Sequence, residues 1–264
     1  MTKAYVFADE RPGEGTHAEM VQHLAAVLDP LTCQRLAPLL HPGARCLEIG
    51  AGAGTIALWM AEQGAAVTAT DLEPEHIPEH PGITALRHDI TVDPLDGRWD
   101  VIHARLVLAH QPSRVDLVTK LAKALTPGGA LVVDEFASGA WERCVLDAPD
   151  RGEAQWLFDH YHAALAAIMG GAGSDVEWGR NAHRVMAEAG LVDVDTYLGG
   201  ARSWRGGEAG CMLPYAMTTQ MRDQLLAHGM SQEELLRFRR LLKDHRLIIL
   251  SSAAISTVGR RPSR

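Results

Sequence analysis

The apolar residues between positions 45 and 136 fall into short runs of strand length, separated by stretches in which they recur at helical spacing. These runs predict five strands, over 47–49, 66–70, 83–90, 99–104 and 130–136. Between the last two, apolar residues at 115, 117, 118, 121, 122 and 125 follow Pro112 and predict a helix. Strands that alternate with helices of this length predict an α/β fold with a parallel, doubly wound sheet.

More helices are predicted on either side of these strands. Residues 17–28 have helical spacing, and the run that begins at Asp29 and Pro30 is predicted to start a second helix toward Leu40. After the fifth strand, helices are predicted over 141–170, 174–190, 213–228 and 231–243. The alternation at 192–197 predicts a sixth strand, and the run 247–258 predicts a seventh that closes the sheet.

A glycine-rich turn follows the first strand. Gly50 and Gly52 permit a tight turn and a close approach of the backbone to a ligand. Asp71 ends the second strand nineteen residues after Gly52. We expect this carboxylate to lie beside the turn and to accept hydrogen bonds from two ribose hydroxyls. The pattern predicts a nucleoside-binding half-sheet.

Three features separate this turn from the dinucleotide fingerprint of dehydrogenases. Thr55 stands where that fingerprint needs glycine or alanine, and the third glycine, Gly54, comes one residue early. The acidic Glu48 also precedes the first glycine by two positions, in a strand that dehydrogenases keep apolar. The spacing resembles that of the class I S-adenosylmethionine-dependent methyltransferases.

That resemblance implies a Rossmann-like, doubly wound seven-stranded sheet with N-terminal helices and a helical lid, and S-adenosylmethionine as cofactor. Within the family, the acid at Glu48 helps to position the methionine end of the cofactor, and the acid at Asp89 lies beside the adenine ring. The implied cofactor-binding residues are Glu48, Gly50, Ala51, Gly52, Asp71, Leu72, Asp89, Ile90 and Ala104. We expect one domain over 1–264, with an N-terminal helical cap over 1–43, a cofactor-binding half over 44–136, and lid or substrate segments over 137–190 and 207–244.

The methyl acceptor is predicted from resemblance alone. The phrase Ala104–Arg105–Leu106–Val107–Leu108–Ala109–His110 is similar to one in bacterial natural-product methyltransferases, of which some methylate an indole carbon and others oxygen, nitrogen or peptide carboxylates. We predict C-methylation of an indole-type ring. The alternative is O-methylation of a carboxylate or hydroxyl on a small molecule or peptide. Outside this family, an NAD-dependent oxidoreductase or a non-catalytic binding protein would share the half-sheet.

Four residues are candidates for proton transfer: His110, Glu135, Tyr161 and His162. Ligands bind at the carboxyl ends of parallel strands, which favours the first two. Each candidate also has a structural interpretation. His110 would cap the following helix, Glu135 would pair with Arg105, and the adjacent Tyr161 and His162 would point about 100° apart on a helix, so that one at most faces the acceptor.

Composition limits the partners. The chain has 264 residues, 33 acidic against 25 basic, and a formal charge of −8, so nucleic acid is not expected as a substrate. Its start lacks a signal-peptide core, and no stretch approaches the roughly 20 apolar residues that span a membrane. We therefore expect a cytoplasmic enzyme for a small-molecule acceptor, with a homodimer left open. Four scattered cysteines and no metal-ligand spacing predict no metal.

Overall fold

The computed structural model describes residues 15–137, 143–250 and 253–263. The first fourteen residues of the predicted cap, residues 138–142 of the predicted lid and residues 251–252 of the predicted seventh strand lie outside this part. The chain divides into two compact units. We call residues 29–137, 177–199 and 254–263 the sheet unit, and residues 15–28, 143–176, 200–250 and 253 the helical unit.

The strands are, in chain order, β1 Arg45–Ile49, β2 Ala66–Asp71, β3 Ile83–Arg87, β4 Trp99–Arg105, β5 Leu125–Phe136, β6 Val145–Asp147, β7 Val192–Gly199, β8 Ser203–Arg205, β9 Ile248–Leu250 and β10 Ala254–Arg260. The α-helices are α1 His17–Leu36, α2 Thr55–Glu62, α3 Arg114–Ala124, α4 Arg151–Gly171, α5 Trp178–Glu188, α6 Ala209–Gln220, α7 Arg222–Ala227 and α8 Gln232–Lys243. Short 3₁₀ helices cover Ala37–Leu39, Pro74–His76 and Leu108–His110.

The sheet unit contains a seven-stranded sheet in the order β3-β2-β1-β4-β5-β10-β7. The first five strands run parallel, whereas β10 pairs antiparallel with both β5 and β7. The chain therefore proceeds outward from β1 to β3 and returns to the other side of β1 at β4. This reversal makes the boundary between β1 and β4 the topological switch point, where open α/β sheets bind ligands.

Alternation along the strands gives the sheet two buried faces. Leu47 and Ile49 face one core, in which α3 and α5 pack through residues such as Leu121 and Trp178. Cys46 faces the other core, which α2 supplies with Met60 among others. Because both faces are covered, the strands are apolar over most of their length. A polar residue at an inward position of such a strand therefore needs its own partner.

The predicted α/β fold is confirmed, and the structure corrects several of its predicted elements. One helix, α1, runs through Pro30, where two helices were predicted. Its residues on either side, Leu28 and Leu31, are buried, and this burial offsets the loss of the proline N–H. The third strand ends at Arg87, so Asp89 lies beyond it.

The remaining corrections concern the C-terminal half. The run 247–258 is two strands, β9 and β10, which belong to different sheets. The predicted helix over 213–228 is divided into α6 and α7. The predicted helix over 141–170 begins only at Arg151, where the Asp150 carboxylate accepts the Glu153 N–H at 2.9 Å. Helix α5, predicted as part of the lid, belongs to the sheet unit.

The helical unit holds α4, α6, α7 and α8 with a three-stranded sheet in the order β6-β9-β8. Helix α8 begins with a capping box between Ser231 and Glu234. Phe158 and Tyr161 of α4 contact Phe238 of α8, with ring centroids 4.9 Å and 5.0 Å apart. Aromatic packing thus forms the centre of this unit.

In the part of the chain that the structure describes, no helix is long and apolar enough to cross a membrane. Over the same residues, no group of three or more histidine, cysteine, aspartate or glutamate side chains is arranged to hold a metal ion.

Candidate active site

The glycines of the turn after β1 adopt the positive φ values for which glycine is favoured. Gly50, Gly52 and Gly54 have φ values of 64°, 54° and 68°, a conformation that disfavours other residues. A Cβ on Gly50 would collide with the Val107 side chain, and a Cβ on Gly54 would lie 2.6 Å from Pro78. At Gly52, by contrast, no described atom lies within 4 Å of that position. The backbone of the turn is therefore open above Gly52, as a ligand in close contact requires.

The Asp71 carboxylate lies directly beside this turn. One oxygen accepts the Gly52 N–H at 2.8 Å, and the other accepts the Glu73 N–H at 3.0 Å. These bonds fix the carboxylate and also give it a structural role as a cap of two backbone segments. Leu72, the next residue, exposes 49% of its surface. A fixed carboxylate thus stands next to an exposed apolar side chain at the carboxyl end of β2.

Asp89 and Ile90 occupy the turn after β3. The Asp89 carboxylate accepts from the Thr91 N–H at 2.9 Å and from its hydroxyl at 2.6 Å. The bond from the Thr91 hydroxyl lowers the pKa of Asp89, which keeps this carboxylate ionised. Ile90 is buried in the same core as Ala104, near the end of β4.

Ala51 belongs to the glycine turn after β1. It donates its N–H to the Thr70 carbonyl at 2.9 Å.

Glu48 lies under the turn in a buried cluster that sequence reasoning missed. His103 Nδ1 is 2.8 Å from Glu48 Oε2, and His103 Nε2 is 3.2 Å from Asp134 Oδ2. The three side chains are at most 3% exposed. The sequence did contain a signal for this cluster, since a histidine and an aspartate occupy core-facing positions in strands that are otherwise apolar. We call Glu48, His103 and Asp134 the buried triad.

The electrostatics of this triad favour a charged imidazole. Burial by itself lowers the pKa of His103, but the Glu48 and Asp134 carboxylates and their hydrogen bonds raise it to about 9. Burial likewise raises the pKa of Asp134, yet the bonds from His103, Ser256 and Thr32 bring it below its usual value. His103 therefore carries a positive charge between two carboxylates at neutral pH.

The predicted ion pair between Glu135 and Arg105 is wrong. Arg105 Nη1 lies 2.7 Å from Asp29 Oδ1 in α1 instead. Glu135 lies on the opposite face of the sheet, where its Oε1 accepts the Ala109 N–H at 3.1 Å. Burial raises the pKa of Glu135 to about 8, although hydrogen bonds from Ala109 and Leu108 oppose this. Glu135 is thus a buried cap of the 3₁₀ helix Leu108–His110.

His110 is the last residue of that 3₁₀ helix, a few residues beyond the end of β4 in the sequence, and it is half-buried. Burial lowers the pKa of His110, and the nearby Arg114 guanidinium lowers it further. The imidazole is therefore neutral at physiological pH and able to accept a proton. Arg114 also binds the Leu108 and Ala109 carbonyls, at 3.3 Å and 3.1 Å, and so holds the segment in place.

Tyr161 and His162 belong to the helical unit rather than to the sheet unit of Glu135 and His110. Tyr161 is buried, and its hydroxyl contacts the Met217 sulfur at 3.3 Å. Burial raises the pKa of Tyr161 and lowers that of His162 to about 4. Both side chains are therefore neutral, and Tyr161 is part of the aromatic packing with Phe238.

The parallel order of β1 to β5, the open glycine turn and the carboxylate that ends β2 define a nucleoside-binding α/β protein. A family model described as a methyltransferase domain matches residues 20–194, well over half of the chain. The chain belongs to this methyltransferase domain family.

Curated relatives match about a third to two fifths of the chain. The ubiquinone biosynthesis O-methyltransferase of Xanthomonas campestris is 33% identical over 100 residues, which cover 34% of this chain and 42% of that relative. Methyltransferase str3 of Strobilurus tenacellus is 33% identical over 110 residues, or 39% of each chain. The chain therefore aligns with about two fifths of the length of these relatives.

Solved structures resemble the fold at low identity. Phosphoethanolamine N-methyltransferase 2 of Haemonchus contortus, in complex with phosphomonomethylethanolamine and S-adenosylhomocysteine, has a TM-score of 0.52 at 14% identity, over 97% of this chain and 55% of that chain. A candidate methyltransferase from an antibiotic biosynthesis pathway of Anabaena variabilis has a TM-score of 0.53 at 15% identity, over 91% of this chain and 96% of that one. These likenesses support the fold.

Proposed function

We propose that this chain is an S-adenosylmethionine-dependent methyltransferase that acts on a small molecule. The observation that carries the proposal is the Asp71 carboxylate, fixed 2.8 Å from the Gly52 N–H beside a turn that is open above Gly52. A methyltransferase family match over residues 20–194 supports the same conclusion.

The residues present fit the cofactor. Each Asp71 oxygen accepts one backbone N–H and retains a lone pair for a ribose hydroxyl. The exposed Leu72 side chain offers an apolar surface to the adenine ring, and the ionised Asp89 carboxylate would accept its exocyclic amine. Glu48, which immediately precedes the turn on β1, would face the methionine end of the cofactor. When bound, the cofactor supplies an electrophilic methyl group on a sulfonium sulfur.

The protein's contribution to methyl transfer is then position and, where the acceptor needs it, proton removal. Of the four candidates, His110 is best suited to proton removal because it is neutral, half-buried and close to the carboxyl end of β4. Glu135 is less suited, since its carboxyl group caps backbone N–H groups inside the core. We propose His110 as the proton acceptor.

Two acceptor classes are proposed. The phrase over 104–110 favours an indole carbon, which is nucleophilic enough only when its ring N–H is deprotonated or hydrogen-bonded. The O-methyltransferase from Xanthomonas favours an oxygen acceptor, over the 34% of the chain that it matches. An indole acceptor requires a base such as His110, whereas a carboxylate acceptor requires none.

The first experiment is calorimetric titration of the protein with S-adenosylmethionine and, separately, with NAD. We expect micromolar binding of S-adenosylmethionine alone. Binding of NAD alone would overturn the proposal and favour an oxidoreductase. A screen of indoles, phenols and carboxylic acids with labelled cofactor, read by mass spectrometry, would then identify the acceptor.

The pH dependence of turnover separates an indole acceptor from a carboxylate acceptor. With an indole, the rate should fall on the acid side as His110 becomes protonated, and a His110→Gln variant should lose about 100-fold in kcat. With a carboxylate, the rate should stay flat above about pH 5 and the variant should match the wild type.

A further inference from the structure

The buried triad spans three neighbouring strands near their carboxyl ends. Glu48 stands one residue before the end of β1, and His103 and Asp134 stand two residues before the ends of β4 and β5. Glu48 is the register partner of His103. Their side chains therefore bridge β1 and β4 at the topological switch point, just below the glycine turn.

His103 and Asp134 are each held by more than one partner. His103 contacts one carboxylate through each ring nitrogen, at 2.8 Å and 3.2 Å. Asp134 Oδ2 also accepts the Thr32 hydroxyl of α1 at 2.7 Å. Further polar contacts lie beyond the triad. Arg105 pairs with Asp29, and Arg35 donates a hydrogen bond to Ser256 at 3.3 Å. Glu48 is thereby anchored through His103 to β5 and α1.

We propose that His103 is a positioning residue for the cofactor, one that holds the Glu48 carboxylate toward the cation-bearing methionine end of S-adenosylmethionine. This inference rests on the proposed function. His103 itself is fully buried and has both ring nitrogens engaged with carboxylates, so it acts through Glu48 and not by contact with the cofactor.

The charge of the triad agrees with this role. The triad brings two carboxyl groups and one imidazole together in the core, close to the turn, and a buried charge that lacks a partner is costly. A ligand whose ammonium and sulfonium groups approach Glu48 would compensate it. A neutral nucleoside that lacks the amino-acid part would not.

The test compares two ligands on two variants. S-adenosylmethionine and 5′-methylthioadenosine, which lacks the amino-acid part, are titrated calorimetrically into the wild type, His103→Gln and Thr257→Val. Thr257 is a matched control because it is fully buried and its hydroxyl bonds Thr196, away from the triad. We expect His103→Gln to weaken S-adenosylmethionine binding about 10-fold or more, as loss of an outer-shell partner does at metal sites.

The same variant should bind 5′-methylthioadenosine within about twofold of the wild type, and Thr257→Val should bind both ligands normally. Unchanged S-adenosylmethionine affinity in His103→Gln would overturn the positioning role, as would an equal loss for both ligands, which indicates a purely structural role. A wild type that binds neither ligand would overturn the proposed function instead, and the inference with it.

A measurement on the wild type covers the case in which His103→Gln does not fold. Nitrogen-15 NMR of the histidine rings at about pH 8 should show His103 with both ring nitrogens protonated, since Glu48 and Asp134 each accept one N–H. Its ring signals should shift when S-adenosylmethionine binds. A singly protonated ring, or signals that do not respond to the cofactor, would overturn the proposal.

Discussion

His103 of the sheet unit and His162 of the helical unit are held in opposite charge states. In the sheet unit, the carboxylates of Glu48 and Asp134 raise the pKa of His103 to about 9 in spite of burial, so the ring is charged. In the helical unit, burial outweighs the opposing effect of Asp159 and lowers the pKa of His162 to about 4, so the ring is neutral. The charge state of a histidine that is shielded from water therefore depends on the groups that it contacts.

The comparison shows that burial of a titratable side chain does not by itself indicate catalysis. Tyr161 and His162 were attractive candidates from sequence, yet the aromatic packing of α4 and α8 accounts for Tyr161. His103 and Asp134 were not predicted as site residues, yet with Glu48 they form the buried triad at the switch point of the sheet. Paired polar groups near a ligand-binding edge are the more informative feature.

The largest expected effect is on the aromatic centre of the helical unit. Phe238 is fully buried between Phe158 and Tyr161, so Phe238→Ala should lower the free energy of unfolding by about 4 kcal/mol. Denaturant unfolding measures the loss, and hydrogen exchange should show it first in α4 and α8. Phe238→Leu, which keeps more of the volume, should cost about 1.5 kcal/mol. Equally increased exchange in β4 would contradict the separation into two units.

The charged triad should make the sheet unit sensitive to alkaline pH. The folded pKa of His103, about 9, lies above the unfolded value of 6.5, so its contribution is complete below pH 6.5 and is lost as the pH rises through 9. The loss is at most about 3 kcal/mol. Glu135, with a pKa raised from 4.5 to about 8, acts in the same direction.

Urea unfolding at several pH values between 6 and 9.5 measures this decline, and His103→Gln should flatten it. The helical unit should respond on the acid side instead. Because the pKa of His162 is lowered from 6.5 to about 4, its contribution falls as the pH drops through that window. Stability that rises between pH 6.5 and 9 would contradict a charged His103.

The sequence predicted the sheet unit better than the helical unit for a physical reason. Short apolar strands and glycines with positive φ leave a local signature, and β2, β4 and α3 lie within two residues of their predicted bounds. The helical unit depends on packing between distant segments. Its small sheet pairs β9 with β6 and β8, and nothing local to the run 247–258 indicates where one strand ends and another sheet begins.

The errors at the site have a similar origin. The cofactor-binding residues could be predicted because their spacing from the glycines is short and fixed along the chain. The partner of Arg105 was misjudged because Asp29 lies 76 positions earlier, on a helix whose continuation through Pro30 depends on tertiary burial. His103 was missed because its two partners, Glu48 and Asp134, come together only when β1, β4 and β5 are placed side by side.

Asp71 gives a smaller but specific prediction for the sheet unit. Asp71→Ala should weaken S-adenosylmethionine binding by about 1–3 kcal/mol, because the ribose hydroxyls and the Gly52 N–H lose an acceptor. Asp100→Ala is a matched control, since Asp100 also accepts a backbone N–H, that of Arg45 at 2.9 Å, but at the amino end of β4. Calorimetry should show normal binding in that control. A normal dissociation constant for Asp71→Ala would reduce Asp71 to a cap of the turn.

Tyr161→Phe should have the smallest effect. The Tyr161 hydroxyl contacts the Met217 sulfur, a weak acceptor, so its removal should change the free energy of unfolding by less than about 1 kcal/mol. The ring remains to pack on Phe238, and burial keeps the phenol protonated. Steady-state kinetics with the acceptor found by screening should therefore give the wild-type kcat. A marked fall in kcat with normal stability would contradict this prediction. It would indicate that Tyr161 takes part in catalysis and that the reaction involves the helical unit.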